Sequence, residues 1–437
     1  MLVHRSTKRG AFTVAIAAVA ALAVSALPAQ AFSPRSETGV TSTTIKLGIT
    51  VPLTGSAAPG YNKVPYGMKA YFDYVNDNGG VNGRKIQLVI KDDQYVPTSA
   101  KSATNDLILK DKVFAIVGSL GTANNEATTP FINSKKVPRL FVNTGFSGFA
   151  NTKKFPTTYS LFPSYVMEAK VIGQYLADNF AGKKVALIYQ DDDFGSDAIS
   201  GFGTKTTFAL KISYPSGQQS PALALDWISK IQEKGIDAVV VFGVSSATAY
   251  ALDAAQNKGL DSKTQWILGS VGADPLTIGF VKANALKQLP NAVAASFMAS
   301  PSDLDNPYIK QFREINTKYN KGASFDNNVL VGMNAGMLTV QALRAAGTNL
   351  TRANLMKAIE TKGSTFASAG LSPISWSTSS HVGYNGYWFG KLAATGTMTP
   401  LDGVGNYVVY TTDSASGPVV KSTFKPIAMP TKGLPTN

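Results

Sequence analysis

The stretch Val117–Asn125 reads VGSLGTANN and closes the apolar run FAIVG just ahead of a helical pattern. Glycines and small hydroxyls at such a turn let backbone N–H groups, the Thr122 hydroxyl and the positive end of a helix dipole converge on an anion without a lysine. No Gly-Lys-Ser/Thr follows, as a P-loop would need, and the spacing is not G-x-G-x-x-G. A carboxylate fits this chemistry, although many α/β turns share the composition and the turn alone names no ligand. A second stretch, Gln190–Asp197 (QDDDFGSD), gathers carboxylates. As a calcium loop it has Asp191 and Asp193 in place, but Gly195 occupies the next ligand position and no Glu closes it. Asp193-Phe194-Gly195 also spells a kinase triplet, without the HRD and VAIK elements that accompany it. The plainer reading is a strand end passing into a helix whose first turn favours acids.

Catalytic groups are scarce. The chain has two histidines, His4 and His381, and no cysteine. A thiol nucleophile is therefore excluded, and any Ser-His-Asp arrangement would have to use His381. The nearest approach to a G-x-S-x-G elbow, Gly145-Phe146-Ser147, has Phe149 where the second glycine belongs. One histidine beyond the N-terminal segment and no thiol leave only carboxylates for a metal. No enzyme activity, no metal and no cofactor are expected, and His381 reads as a structural residue.

The elements that must position these residues alternate regularly. Strand-length apolar runs occur at Ile45–Val51, Lys85–Asp93, Val113–Gly118 and Arg139–Asn143, separated by helical patterns at Tyr66–Asn76, Ser99–Asp111 and Asn124–Asn133. The rhythm restarts with strands at Lys184–Asp192, Ile236–Gly243 and Thr264–Ser270. Helices are expected near Ser196–Phe208 and over Leu225–Gly235, Ala247–Gly259, Pro307–Tyr319 and Asn327–Gly347. Strand, helix, strand in this order predicts parallel sheets covered on both faces, hence two α/β lobes. Beyond Gly363 the chain is rich in Ser, Thr and Gly, with YWFGKL and NYVVYTT as short strands.

Ahead of the lobes, His4, Arg5, Lys8 and Arg9 form a basic start, Ala11–Leu27 carries no charge, and Ala29-Gln30-Ala31 supplies small residues. That pattern predicts a cleavable signal peptide over residues 1–31, with residues 32–43 as a flexible leader. The apolar run is short for a membrane span, which takes ~20 residues. Export to an extracytoplasmic space follows, and the absence of cysteine predicts no lipid anchor. The 41 Lys+Arg against 27 Asp+Glu give a net charge of +14. The basic residues are scattered singly, so a surface attractive to acidic solutes or envelope polymers is expected rather than a nucleic-acid interface.

Several stretches in order add a family signal: VPLTGSAAPGY (Val51–Tyr61), YFDYVNDNGGVNGRKIQLVIKDD (Tyr71–Asp93), VGSLGTANN, KVPRLFVNTG (Lys136–Gly145), KVALIYQDDDFG (Lys184–Gly195), and ISW followed by His381-x-Gly383. Together they resemble the extracytoplasmic solute-binding proteins of ABC importers, in the branched-chain amino-acid branch, over nearly the whole chain after the leader. The resemblance implies an α/β fold of two Rossmann-like lobes with parallel-rich sheets joined by a three-crossing hinge. Crossings then fall near Leu161–Pro163, Phe297–Ser300 and Gly386–Trp388. The first lobe takes 44–160 plus 301–385, and the second takes 164–296 plus 389–437. A small-molecule ligand sits between the lobes, the partner is an ABC permease, and the receptor works as a monomer. A sensory module of the same fold is the alternative.

In that family the loop matching Gly121, Thr122 and Ala123 grips a ligand carboxylate, and the loop matching Asn143, Thr144 and Gly145 adds contacts. The position of the family's ammonium-binding acid falls on Val271, and those of its cleft tyrosines on Phe194 and Val244. Without a countercharge a buried ammonium costs several kcal/mol. Unless Asp92, Asp93 or Asp274 substitutes, a carboxylate with an apolar or aromatic body is therefore expected in place of an α-amino acid. Tyr61 and Tyr95, on loops after strands, read either as ligand-stacking or as ordinary surface aromatics, and Tyr165, just past the first crossing, has the same two readings.

Overall fold

Two parallel sheets account for the alternation. The computed structural model describes residues 37–203, 206–260, 264–412 and 417–436, so the expected signal peptide and its cleavage point lie outside the described residues, while the described part of the expected leader, 37–43, is held by a bridge from Val40 to Ile45 and by Glu37 accepting from Arg352 N–H. In chain order come β1 (Thr44–Val51), the short turn α1 (Ala58–Tyr61), α2 (Val64–Asp77), β2 (Lys85–Asp92), α3 (Pro97–Asn105), β3 (Ala115–Val117), α4 (Thr122–Lys135), β4 (Arg139–Val142) and β5 (Thr158–Ser160). Next are α5 (Tyr165–Asn179), β6 (Val185–Asp191), α6 (Asp193–Phe202), β7 (Leu210–Pro215), α7 (Pro221–Lys234), β8 (Ala238–Phe242), α8 (Ser245–Asn257), β9 (Gln265–Leu268), α9 (Pro275–Val281) and β10 (Ala292–Ser296). The helices α10 (Pro307–Tyr319), α11 (Asn327–Ala345) and α12 (Arg352–Lys362) follow, then β11 (Trp388–Leu392), β12 (Met398–Pro400), β13 (Tyr410–Thr411) and β14 (Val420–Lys421).

The first sheet has the order β2-β1-β3-β4-β5, all parallel. The second runs β12-β11-β10-β9-β8-β6-β7, parallel from β10 to β7, with β11 and β12 antiparallel at one edge. Each sheet thus reverses its strand order once, between β1 and β3 and between β6 and β8. Ligands of open α/β sheets bind outside the carboxyl ends of strands at such reversals. Central strand β8, AVVVF, is buried at every residue, as a strand covered on both faces must be. Edge strand β7 alternates instead, with Ile212 and Tyr214 buried. The long helix α11 lies under the first lobe, almost wholly buried against α2. Their approach requires Gly332, where a Cβ would stand 2.1 Å from the Val64 carbonyl oxygen.

Three connections pass between the sheets: β5 to α5, β10 to α10, and α12 to β11. They run side by side. Trp376 Nε1 donates to the Ser160 carbonyl at 2.7 Å, Tyr387 Oη to the Pro163 carbonyl at 3.1 Å, and Trp388 Nε1 to the Met298 carbonyl at 2.9 Å. The rings of Phe162 and Phe297 sit 4.5 Å apart in the same layer.

Some local expectations need correction. The helix read over Ser99–Asp111 stops at Asn105, and Asp106–Lys110 forms a wider π turn closed by Asp111 N–H on the Asp106 carbonyl. The helix read near Ser196–Phe208 starts earlier, because the Asp192 carboxylate caps it by accepting from Phe194 N–H at 3.0 Å. The C-terminal tail does not stay with the second sheet. Tyr308 Oη donates to the Ile427 carbonyl, and Tyr71 and Tyr74 donate to the carbonyls of Gly433 and Lys432, which ties the tail to α10 and α2. Apolar residues spaced irregularly between prolines carry no strand or helix period, so the sequence concealed this return.

Candidate ligand cleft

The two strand-order reversals face each other, and the loops beyond them meet. After β3 the chain reaches Gly121 at φ +94°, where a Cβ would stand 2.8 Å from the Tyr95 ring, and α4 begins at Thr122. Only glycine fits that backbone and that approach. The Thr122 and Thr144 hydroxyls are 2.7 Å apart, both buried, and the N–H groups of the first turn of α4 open beside them. Arg139, buried on β4, donates to the Asn125 carbonyl at 2.7 Å and to the Thr128 and Thr129 hydroxyls at 2.7 Å each, which fixes that turn from below. Asn143 N–H donates to the Ser119 carbonyl, its carbonyl accepts from Gly121, and Gly145 accepts from Tyr165 N–H at 2.8 Å. Ala123 lies half-buried in the same first turn.

The facing wall is aromatic. Tyr165, at the start of α5, places its hydroxyl against Thr144 and the Gly145 backbone; burial, outweighing these hydrogen bonds, pushes its pKa well above the ordinary tyrosine value. Its ring lies 4.5 Å from Phe194 and 5.8 Å from Phe242, and those two are 4.9 Å apart. A file of three hydroxyls, Thr122, Thr144 and Tyr165, therefore ends on a wall of rings. Val244 and Val271 present backbone groups here. Val244 N–H donates to Tyr214 Oη at 3.2 Å, and the Val271 carbonyl accepts from Tyr61 Oη at 2.8 Å.

Tyr61 and Tyr95 are not surface aromatics. Both leave the first lobe and end on the second. Tyr61 Oη also accepts from Ser245 N–H at 3.3 Å, and burial pushes its pKa up to about 12. Tyr95 Oη accepts from Gln190 Nε2 at 3.1 Å, and both Gln94 and Tyr95 hold left-handed backbone, φ +55° and +61°. Two consecutive non-glycine residues in that region store strain, here to aim one side chain across the cleft. Ser56 Oγ donates to the Gly217 carbonyl at 2.6 Å, and Ser147 N–H and Oγ both donate to Asp197. Ser119 Oγ, Gln190 Oε1 and Gln219 Oε1 are buried without a hydrogen-bond partner, whereas the Asp93 carboxylate is approached by the Asn124 and Thr50 side chains.

The acids divide clearly. Asp92 accepts from Leu53, Thr54 and Gln94 N–H and from the Thr54 hydroxyl; burial works against its charge, but these bonds hold its pKa below the usual carboxylate range. Asp274 caps α9 and accepts from Asn327 N–H across the cleft at 3.4 Å. Asp93 is fully buried beneath Tyr95, whose N–H it accepts at 2.9 Å, and burial pushes it up to about 7. Glu168, which the sequence did not flag, is buried on α5 and takes Ser270 N–H at 2.5 Å and Ser270 Oγ at 3.0 Å, with its pKa raised by burial to about 7. It pins the turn that carries Val271. No short motif marks Glu168, Gln190 or Ser245; only their places at strand ends and on the cleft side of α5 would have drawn notice. His381 is structural. Its Nδ1 lies 3.0 Å from the Phe155 and Thr158 carbonyls and its ring stacks on Tyr159. The QDDDFGSD run is a strand end and a capped helix, and among the described residues no group of three His, Asp or Glu is placed to hold a metal.

The profile of the periplasmic binding protein family matches residues 44–397. The Leu/Ile/Val-binding protein homolog 1 of Brucella abortus is 25% identical over 336 residues, covering 73% of this chain and 83% of that protein. The fatty acid ABC transporter substrate-binding protein from Thermomonospora curvata superposes with a TM-score of 0.71 at 22% identity, covering 89% of this chain and 95% of its own. A solute-binding protein of an ABC transporter from Rhodopseudomonas palustris, in complex with benzoate, gives 0.69 at 21% identity, over 87% and 98%. The two-lobed fold is thus one that solved substrate-binding proteins share. Among the described residues no helix is long and apolar enough to cross a membrane.

Proposed function

The chain belongs to the periplasmic binding protein family, and we propose that it captures a small organic acid, a carboxylate on an apolar or aromatic body, in the interlobe cleft and delivers it to an ABC importer. The observation that carries this reading is the hydroxyl file Thr122, Thr144 and Tyr165 ending on the Phe194–Phe242 wall. Hydroxyls and helix N–H groups suit a carboxylate, and the rings suit an apolar body. An α-amino acid would need a countercharge for its ammonium. Asp92, Asp274 and Glu168 are engaged by the protein's own donors, and Asp93, bonded by Tyr95 N–H and approached by Asn124 and Thr50, is pushed towards neutrality by burial. The similar proteins include ones named for Leu/Ile/Val or for fatty acid and one in complex with benzoate; every one of those ligands carries a carboxylate.

On this reading the ligand contacts both walls and draws the lobes together, since it favours whichever state it touches on both sides. The protein acts as a monomer, without catalysis or nucleic acid. It reaches the extracytoplasmic space by cleavage before Phe32 and carries no lipid, because the chain has no cysteine. Intact mass of the exported protein checks the cleavage. Calorimetric titration with leucine, phenylalanine, 4-methylpentanoate and 3-phenylpropanoate tests the ligand class. The deaminated acids should bind more tightly than their parent amino acids, and tight leucine binding would overturn the class.

A further inference from the structure

Where the second and third connections run, the chain forms a pocket of about 400 Å³ that is open to solvent on one side. Asp303 and Asp305, ahead of α10, form one wall, and Leu371 comes from the third connection. The other side is built by residues beyond the family match, among them Tyr407, Val409 and Phe424. Asp303 is 5% exposed; its Oδ2 accepts from Tyr407 Oη at 2.7 Å, and that hydroxyl accepts from Ser300 N–H at 3.0 Å. Asp305 is exposed to the cavity mouth. The extended segment after β14 turns Ser422 and Phe424 inward, while its neighbours Lys421, Thr423 and Lys425 are exposed. A period of two thus keeps the lysines off the cavity. Among the described residues no lysine or arginine lines it, although the chain as a whole carries +14.

We propose that this cavity is a second binding site, separate from the cleft, for a small organic cation: an ammonium group on an apolar or aromatic body. The ammonium sits between the Asp303 and Asp305 carboxylates, and the Tyr407 ring beside them offers a face attractive to a cation. The apolar body lies on Leu371, Val409 and Phe424. The volume falls within the range of small-molecule sites, ~300–1,000 Å³. The two sites then have opposite preferences, an anion in the cleft and a cation in this pocket. Because its walls come from two connections and from the tail, an occupant ties the tail to the segments that join the lobes.

The full chain is titrated with 2-phenylethylammonium and, as a neutral match, with 2-phenylethanol, by calorimetry and by tryptophan fluorescence. Fluorescence is informative because the Trp388 ring packs edge-on against Tyr407 at 4.7 Å. The ammonium compound should bind and change the emission, with the alcohol clearly weaker. Asp303→Asn also removes the acceptor of the Tyr407 hydroxyl, so Asp305→Asn, on an exposed side chain, is the cleaner variant. It should weaken the ammonium compound roughly two- to fivefold, the range of a solvent-exposed ion pair, and Phe424→Ala should weaken both compounds. Thr122→Ala should leave the titration unchanged. Equal affinity for amine and alcohol, no response at millimolar amine, or a loss on Thr122→Ala would each overturn the proposal.

Discussion

The two walls of the cleft are built from different materials. The first lobe offers small groups on tight turns: the Thr122 and Thr144 hydroxyls and the N–H groups that open α4. The second offers bulk, with Tyr165, Phe194 and Phe242 packed ring on ring and the Val271 carbonyl beside them. On the proposed reading the first wall meets a charge with hydrogen-bonding groups. The second meets a shape with side chains that are also core. Substitutions on the two walls should therefore fail in different ways.

Phe194→Ala tests the second wall and has the largest expected effect. The ring is 3% exposed and packs on two others, so its loss leaves a cavity costing roughly 3–5 kcal/mol of stability. Urea unfolding measures this, and a loss below 1 kcal/mol would mean that the wall is plastic. Thr122→Ala tests the first wall. Stability should change little, whereas affinity for the carboxylate should fall ~10- to 150-fold, the equivalent of one hydrogen bond to a charged group. Calorimetry on both variants separates the walls, and equal losses of stability would erase the distinction.

The rim between the walls should respond to pH. Burial, and then Asp193 across the cleft, pushes Glu126 from its ordinary 4.5 up to about 7; Lys154 at 3.6 Å opposes the shift. Buried Arg139 also lies within the field of Glu126. Burial raises Asp197 to about 6 in spite of its bonds from Ser147, with Asp193 adding to the rise. On the other side, burial and then Asp326 raise Asp274 to about 6, and Lys63 pairs with Asp326 at 2.5 Å. A carboxyl whose pKa rises when the lobes meet favours the closed form when protonated. That stabilisation is complete below the ordinary pKa and is lost as pH rises through 6 to 7. Small-angle scattering should therefore give a smaller radius of gyration at pH 5 than at pH 8, and Glu126→Gln should narrow the gap. A more open protein at pH 5 would contradict the sign.

The first wall was legible in the sequence because its chemistry is local. A glycine that must hold φ +94°, a threonine beside it and a helix start lie within three residues. The parallel sheets were legible for the same reason, since buried strands such as AVVVF betray themselves by composition. The cross-cleft contacts were not. Tyr61 meets Val271 across 210 residues, Tyr95 meets Gln190 across 95, and Ser56 meets Gly217 across 161. Such pairs exist only once both sheets have set their strand order. Glu168 was hidden by its position in an amphipathic helix, where an acid normally faces water; here it faces the turn at Ser270.

The smallest effect expected belongs to Val271→Glu, and it sharpens the comparison most. Val271 lies in the turn Ser270–Gly272, its carbonyl accepts from Tyr61, and its side chain is partly exposed. The substitution leaves these backbone bonds in place and adds a carboxylate to an apolar wall. A ligand ammonium would gain a countercharge, but Glu168 lies just beneath, bonded to Ser270, and repels the newcomer. The gain should therefore be modest: leucine improves relative to 4-methylpentanoate by roughly two- to fivefold, the range of a solvent-screened ion pair. The ratio of the two dissociation constants, measured by calorimetry on both proteins, reads this directly. Should the ratio stay fixed while Asp93→Asn abolishes leucine binding, the ammonium is held by Asp93. The charge would then be read on the first wall at both of its ends, leaving the second wall to read shape alone.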